Sequence, residues 1–273
     1  MSGKPRNVAF LIIDPQNDFH EGGSLAVPGA DEDAVRIANL INDNRDKIAS
    51  IYVTMDCHHR MHIAHKGFWT NDQNEMPAEF TMITNADIKS GLWKAAQPEN
   101  QMHVEWYTKM LEEKNRFKLT IWPEHCLVGT KGNAIVPSIN EAIQDWALEY
   151  STVVNYIQKT QHCLTEMYSV FQAEVPLPDV PSTGLNTALL AELGQTYDRV
   201  VVCGQASSHC VAFSVRDLVE HWPHYSGDRP ISDIILLSDG MSPVATFEKA
   251  GEEFVNEMKD KGVTVLKCNQ VIL

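Results

Sequence analysis

The sequence contains no apolar run of about 18 residues or more, so no membrane-spanning helix is expected. It has neither a GxGxxG turn nor a P-loop, which leaves nucleotide and phosphate chemistry without a foothold. No internal repeat and no low-complexity tract interrupts it. Positive charge is scarce: 22 Lys and Arg stand against 36 Asp and Glu, a formal net charge of −14. That balance argues against nucleic acid or an anionic membrane as partner, because neither offers a counter-charge. The six cysteines (57, 126, 163, 203, 210 and 268) are dispersed, with no CxxC pair, a poor basis for a disulfide framework in 273 residues. The opening stretch MSGKPRNVAFLIID passes from basic residues directly into a core-like strand, without the apolar region and cleavage site of a secretory leader. Together these absences lead to the expectation of a cytoplasmic, reducing setting.

What is present is a chain 44% hydrophobic, enough for a sizeable core. Near-continuous apolar runs at 8–13, 48–54, 152–158, 199–203, 233–238 and 263–267 suit parallel strands covered on both faces. Amphipathic stretches near 31–46, 138–149, 185–193, 208–222 and 244–261 lie between them. The alternation predicts an α/β fold: a doubly wound, mostly parallel six-stranded sheet with helices on both faces. One domain over 1–273 is expected, with a polar insertion at about 70–120. That insertion shows a helical patch near 102–116 and no good strand. Met102, Trp106, Met110 and Leu111 form an apolar strip on the patch that must bury somewhere.

In an open parallel sheet, ligands bind beyond the carboxyl ends of the strands. The first apolar run ends in Asp14, the second in Asp56 and His58, the third in Lys159, and the fourth leads to Cys210. The last lies in GQASSHC, where a strand breaks into small residues and a cysteine enters the first turn of a helix. A carboxylate that takes the thiol proton, with an ammonium and a helix N-terminus to stabilise the thiolate, would make Cys210 a nucleophile. Asp56 and His58, two apart at a strand end, can face one ion, and His125 of IWPEHC would complete a carboxylate–histidine set. Such a set suits one divalent transition metal, zinc first, with iron or manganese as alternatives. His65 is a further candidate ligand, whereas His59 and His62 read as solvated loop residues.

These segments, in this order, resemble the isochorismatase-like cysteine hydrolase superfamily, and within it the nicotinamidase (pyrazinamidase) family. The resemblance rests on IIDPQNDFHEGGSLAVPGAD (12–31), DCHHRMHIAHKGF (56–68), WPEHCLVGTKGNAIVPSI (122–139), KTQHCLTEMYSVF (159–171) and GQASSHCVAFSVRD (204–217). It covers most of the chain except 70–120. It departs from the family pattern at Ser207-Ser208-His209 and at Glu166-Met167. The resemblance implies Asp14, Lys159 and Cys210 as catalytic triad, and Asp56, His58 and His125 as metal ligands with His65 in or beside the set. It also implies Phe19, Trp122, Tyr168 and Gln205 as substrate-binding positions, the aromatics sandwiching a flat heteroaromatic ring. A cis peptide at Gln205–Ala206 would aim the Ala206 and Cys210 amides at one oxyanion. The implied activity is amide hydrolysis through a cysteine thioester, nicotinamide giving nicotinate and ammonia. A different superfamily amidase, acting on an N-carbamoyl or another small carboxamide, is the alternative enzyme. A catalytically silent binding module is the alternative of another class. The partner implied is a small-molecule carboxamide, and self-association is common in the family.

Overall fold

The structure, a computed structural model, describes residues 7–114 and 117–273. In chain order its elements are β1 (Val8–Ile13), α1 (Ala30–Asp43), β2 (Ile48–Asp56), β3 (Trp69–Thr70), β4 (Met82–Ile83), α2 (Asn85–Lys89), β5 (Lys94–Ala95), α3 (Gln101–Lys114) and β6 (Leu119–Thr120). There follow α4 (Pro137–Glu149), β7 (Asn155–Lys159), α5 (Thr187–Thr196), β8 (Arg199–Gly204), α6 (Cys210–Tyr225), β9 (Ile234–Leu237), α7 (Glu248–Asp260) and β10 (Thr264–Leu266). The six long apolar runs pair, all in parallel, in the order β10-β9-β8-β1-β2-β7.

Alternation along β1 explains how both faces are filled. Phe10 and Ile12 face one way, against Ile37 and Ile41 of α1 and Ile143 and Trp146 of α4. Leu11 and Ile13 face the other, toward the side packed by Leu189 of α5, Leu218 of α6 and Phe254 of α7. The chain winds outward from β1 through β2 to β7, then returns to β8 on the other side of β1. The junction of β1 and β8 is therefore the topological switch point, where an α/β sheet opens a crevice for ligands.

Close approach at that junction requires a glycine. Gly204 ends β8 at φ +115°, and a Cβ there would lie 2.0 Å from the Ile13 carbonyl oxygen. An L side chain would meet both a forbidden backbone region and a hard clash.

The 70–120 insertion differs from its expected form. It holds two short antiparallel ladders, β3 with β5 and β4 with β6, each of two residues. Its helix α3 is confirmed, although the last two residues of the expected patch, 115 and 116, lie outside the described residues. The buried face is Val104, Tyr107, Thr108 and Leu111, the i, i+3, i+4, i+7 stripe, while Met102 is 83% exposed. Neighbours decide this: Ile83, Ile88 and Ala95 form a local core with Trp69 and Ile121, and α3 turns the Val104–Leu111 side to it. Among the described residues no helix is long and apolar enough to cross a membrane.

Candidate active site

The register of the sheet places three charged groups side by side. Asp56, last residue of β2, lies opposite Lys159, last residue of β7. Asp14 follows β1 directly, with its backbone turned to φ +43°. Its N–H donates to Thr54 Oγ1 at 3.0 Å, and the Thr54 hydroxyl donates back to Asp14 Oδ1 at 2.5 Å. Lys159 Nζ lies 2.9 Å from Asp14 Oδ2, 3.4 Å from Asp56 Oδ1 and 3.5 Å from Cys210 Sγ, and donates to the Met167 carbonyl at 3.0 Å. All four side chains are buried. One ammonium thus serves two carboxylates and a thiol.

Burial sets the protonation of this group. It is the largest effect on Asp14, raising its carboxyl above the ordinary value despite Lys159. Burial also pushes the Cys210 thiol well up, and Lys159 only partly offsets this. Lys159 is itself held well above its ordinary value, because Asp14 and Asp56 outweigh the cost of burying its charge. Cys210 therefore rests as a protonated thiol, in keeping with the expectation that a carboxylate must take its proton before it can react. The Asp14 carboxylate is among the charges that raise the thiol.

The histidine loop and the WPEHC stretch meet because their backbones run alongside each other. His58 N–H donates to the Cys126 carbonyl, Val128 N–H to the His58 carbonyl and Trp122 N–H to the Ala64 carbonyl. Asp18 secures this from the opposite side, with Oδ2 accepting the Cys126 N–H at 2.7 Å. Ring nitrogens of His58, His65 and His125 consequently fall within 4.8 Å of one another. Asp56 Oδ2 lies 3.1 Å from His58 Nε2 and 3.4 Å from His125 Nε2. Three imidazoles and a carboxylate are the donor chemistry of a zinc-type site. Burial pulls His58 down to about 4 and His65 to about 3, so both are neutral with a lone pair to give. His65 Nε2 is buried without a hydrogen-bond partner among the described residues, and His125 Nδ1 is occupied by the Pro123 carbonyl at 2.7 Å, which leaves Nε2 for an ion. Burial opposes protonation of His125 too, but Asp56 outweighs it and holds the ring above its ordinary value. The four residues fit a metal.

His59 is exposed, as expected of a loop histidine, but His62 is not. Its ring is fully buried edge-on to His58, with centroids 4.5 Å apart. Nδ1 accepts the Ala64 N–H and Nε2 pairs with the Thr165 carbonyl, so both ring nitrogens are already used. It holds the loop in place.

Above Cys210 a small cavity is lined by Phe19, Leu25, Trp122, Tyr168, His209 and Val244, with Asp56 and His125 also on its wall. Trp122 Nε1 donates to the Tyr168 hydroxyl at 2.8 Å, which fixes both rings. The Gln205–Ala206 peptide is cis, and Ala206 also faces the cavity. Gln205 does not line it. Its amide donates to Asp33 Oδ2 at 3.0 Å and accepts the Ser242 N–H, tying the loop before Cys210 to α1. Two residues escaped the sequence reading. His209, between Trp122 and Phe247, is pulled down to about 4 by burial and pairs Nδ1 with the Ser208 hydroxyl at 2.9 Å. Glu166 is buried behind the histidines, and burial foremost pushes its carboxyl up to about 8. Its only signal was the departure at Glu166-Met167.

The fold is shared with solved nicotinamidase and pyrazinamidase structures. A nicotinamidase/pyrazinamidase of Acinetobacter baumanii superposes with a TM-score of 0.64 at 22% identity, covering 99% of this chain and all of that one. A pyrazinamidase of Pyrococcus horikoshii, solved in complex with zinc, gives 0.57 at 21% identity, covering 96% of this chain and 99% of that one. No family model matches the chain. In sequence it is 28% identical over 211 residues to the nicotinamidase of Acinetobacter baylyi, covering 77% of this chain and 74% of that one. It is also 25% identical over 215 residues to the nicotinamidase of Escherichia coli, covering 78% of this chain and 76% of that one.

Proposed function

We propose that this protein is a metal-dependent cysteine amidohydrolase that converts nicotinamide to nicotinate and ammonia. The observation that carries the reading is the buried Asp14–Lys159–Cys210 cluster at the floor of an aromatic cavity, with the histidine set at its edge.

Asp14 takes the Sγ proton as the sulfur attacks the carboxamide carbon, so the buried site carries the same net charge before and after. Lys159, within reach of both groups, follows the negative charge from carboxylate to sulfur. The tetrahedral oxyanion rests on the Ala206 and Cys210 N–H groups; the latter belongs to the first turn of α6, whose amides have no intrahelical acceptor. Asp14 then gives its proton to the departing nitrogen, the C–N bond breaks and ammonia leaves a thioester. Asp14 next takes a proton from water, whose oxygen attacks the thioester; the C–S bond breaks, Asp14 returns that proton to Sγ, and the acid leaves as nicotinate with its own proton passing to ammonia. Asp56, His58, His125 and His65 would hold the metal, which we read as zinc. When bound, it supplies a Lewis acid for the ring nitrogen at the pocket edge. Trp122 and Tyr168 orient the ring, a positioning effect of the kind that gives near-attack geometry.

The test is ammonia release from nicotinamide, pyrazinamide and an N-carbamoyl amino acid, each by wild type and by Cys210→Ala. Pyridine and pyrazine carboxamides should be cleaved, and the variant should be inactive with its fold and metal content retained. Preference for the N-carbamoyl substrate would transfer the assignment to another amidase. Turnover by Cys210→Ala would remove the thioester.

A further inference from the structure

Behind the metal set lies a carboxylate with no role in the chemistry above. Glu166 is 1% exposed, and its backbone N–H donates to the hydroxyl of Tyr107 on α3 at 3.0 Å. Its Oε1 accepts the Met167 N–H at 2.9 Å. Oε2 is buried and has no hydrogen-bond partner among the described residues. Neither has His58 Nδ1. A ring nitrogen of His58, one of His62 and a carboxylate oxygen of Glu166 lie within 4.8 Å of one another.

Two orphaned buried polar atoms in one cluster are costly unless something makes use of them. A second cation between them is a poor answer, because His62 has already committed both ring nitrogens to Ala64 and Thr165. The tautomer of His58 gives a better one. Its Nε2 points at Asp56 Oδ2, on the metal side. A neutral imidazole that gives Nε2 to a metal must carry its hydrogen on Nδ1, and that N–H needs an acceptor.

We propose that Glu166 is a positioning residue for the metal centre: Oε2 accepts the Nδ1–H of His58 when Nε2 ligates the ion. The carboxylate thereby fixes the ring's tautomer and orientation and strengthens it as a donor. Because Glu166 is held by Tyr107, the brace extends from the ion through His58 and Glu166 into the insertion. The inference rests on the metal reading given above.

Chelator competition on metal-free protein, with zinc as the probe, tests it in wild type, His58→Ala, Glu166→Gln and Glu166→Ala. Wild type should bind one zinc, and His58→Ala should lose it. Both Glu166 variants should bind zinc about 10- to 100-fold more weakly, the alanine more so. Metal-free Glu166→Gln should melt no lower than wild type, since without the ion Oε2 has no partner to lose and the glutamine oxygen keeps the Met167 N–H, whereas the alanine also loses that bond. Histidine nitrogen NMR of the zinc-loaded wild type should show the His58 hydrogen on Nδ1, with its shift moved in Glu166→Gln. If the alanine variant does not fold, the isosteric glutamine carries the test. Zinc affinity within twofold of wild type in the Glu166 variants overturns the proposal. Loss as complete as in His58→Ala also overturns it, because Glu166 would then be a ligand. Zinc binding undiminished in His58→Ala, or absent in wild type, refutes the metal reading itself and the proposal with it.

Discussion

His209 shows how strongly burial acts on single residues here. Its folded value of about 4 lies below the roughly 6.5 of an unfolded histidine. Between those values the unfolded chain binds a proton that the native protein does not, so stability falls as pH drops through that window. The contribution is fully present above about pH 6.5, and the loss by pH 5 should be about 2 kcal/mol. Thermal melts of metal-free wild type and His209→Phe at pH 7 and pH 5 measure it: the variant should lose less on acidification. Equal losses would mean that the ring is not buried neutral. The same accounting governs Cys210. A thiol raised by burial is slow toward electrophiles until a substrate lets Asp14 take its proton, which limits adventitious modification.

Among the elements, α3 has the least expected role. Tyr107 OH accepts the Glu166 N–H, His103 Nε2 meets the Leu164 carbonyl, and Phe117 just beyond the helix packs on Tyr168 with ring centroids 4.8 Å apart. The insertion therefore supports the 162–175 loop that carries Tyr168. Tyr107→Phe leaves a buried N–H without its acceptor and should cost about 1–3 kcal/mol. It should lower the melting temperature and raise the Michaelis constant while leaving kcat nearly unchanged. Replacing 75–115 by a Gly/Ser linker should retain the sheet by circular dichroism and enlarge both effects. If neither variant changes melting temperature or Michaelis constant, the insertion does not support the loop. Strand positions were legible because β-branched runs are unambiguous at this length, and so Asp14, Asp56 and Lys159 were found as strand ends. The buried face of α3 was not, because Tyr107 and Thr108 carry polar atoms and Met102 looks apolar. His62 was misread because HHRMHIAH offers four histidines, and only closure of 122–128 over them selects the inner ones. Glu166 was missed for a related reason: nothing local distinguishes a buried glutamate from a solvated one.

At the scale of the molecule, the site is a tertiary construction whose parts are held by one another. Removing the ion should therefore affect more than activity. Chelated protein should melt several degrees lower, by the linkage that makes any native-state ligand stabilising, and added zinc should restore the transition. His58→Ala should show no zinc-dependent shift. A melting temperature indifferent to chelation, with full activity, would separate catalysis from any metal.

The central place of β1 also has a consequence in time. Its six buried residues need β2 on one edge and β8 on the other, yet β8 begins only at Arg199. At synthesis rates of about 5–20 residues per second, β1 emerges roughly 10–40 s before its second neighbour exists. Throughout that interval the nascent chain carries an open, wholly apolar strand edge, and an Asp14 whose lysine arrives only late in it and whose thiol is not yet made. This is the window in which a holdase would find the chain, and in which misassociation between neighbouring ribosomes on one message would begin.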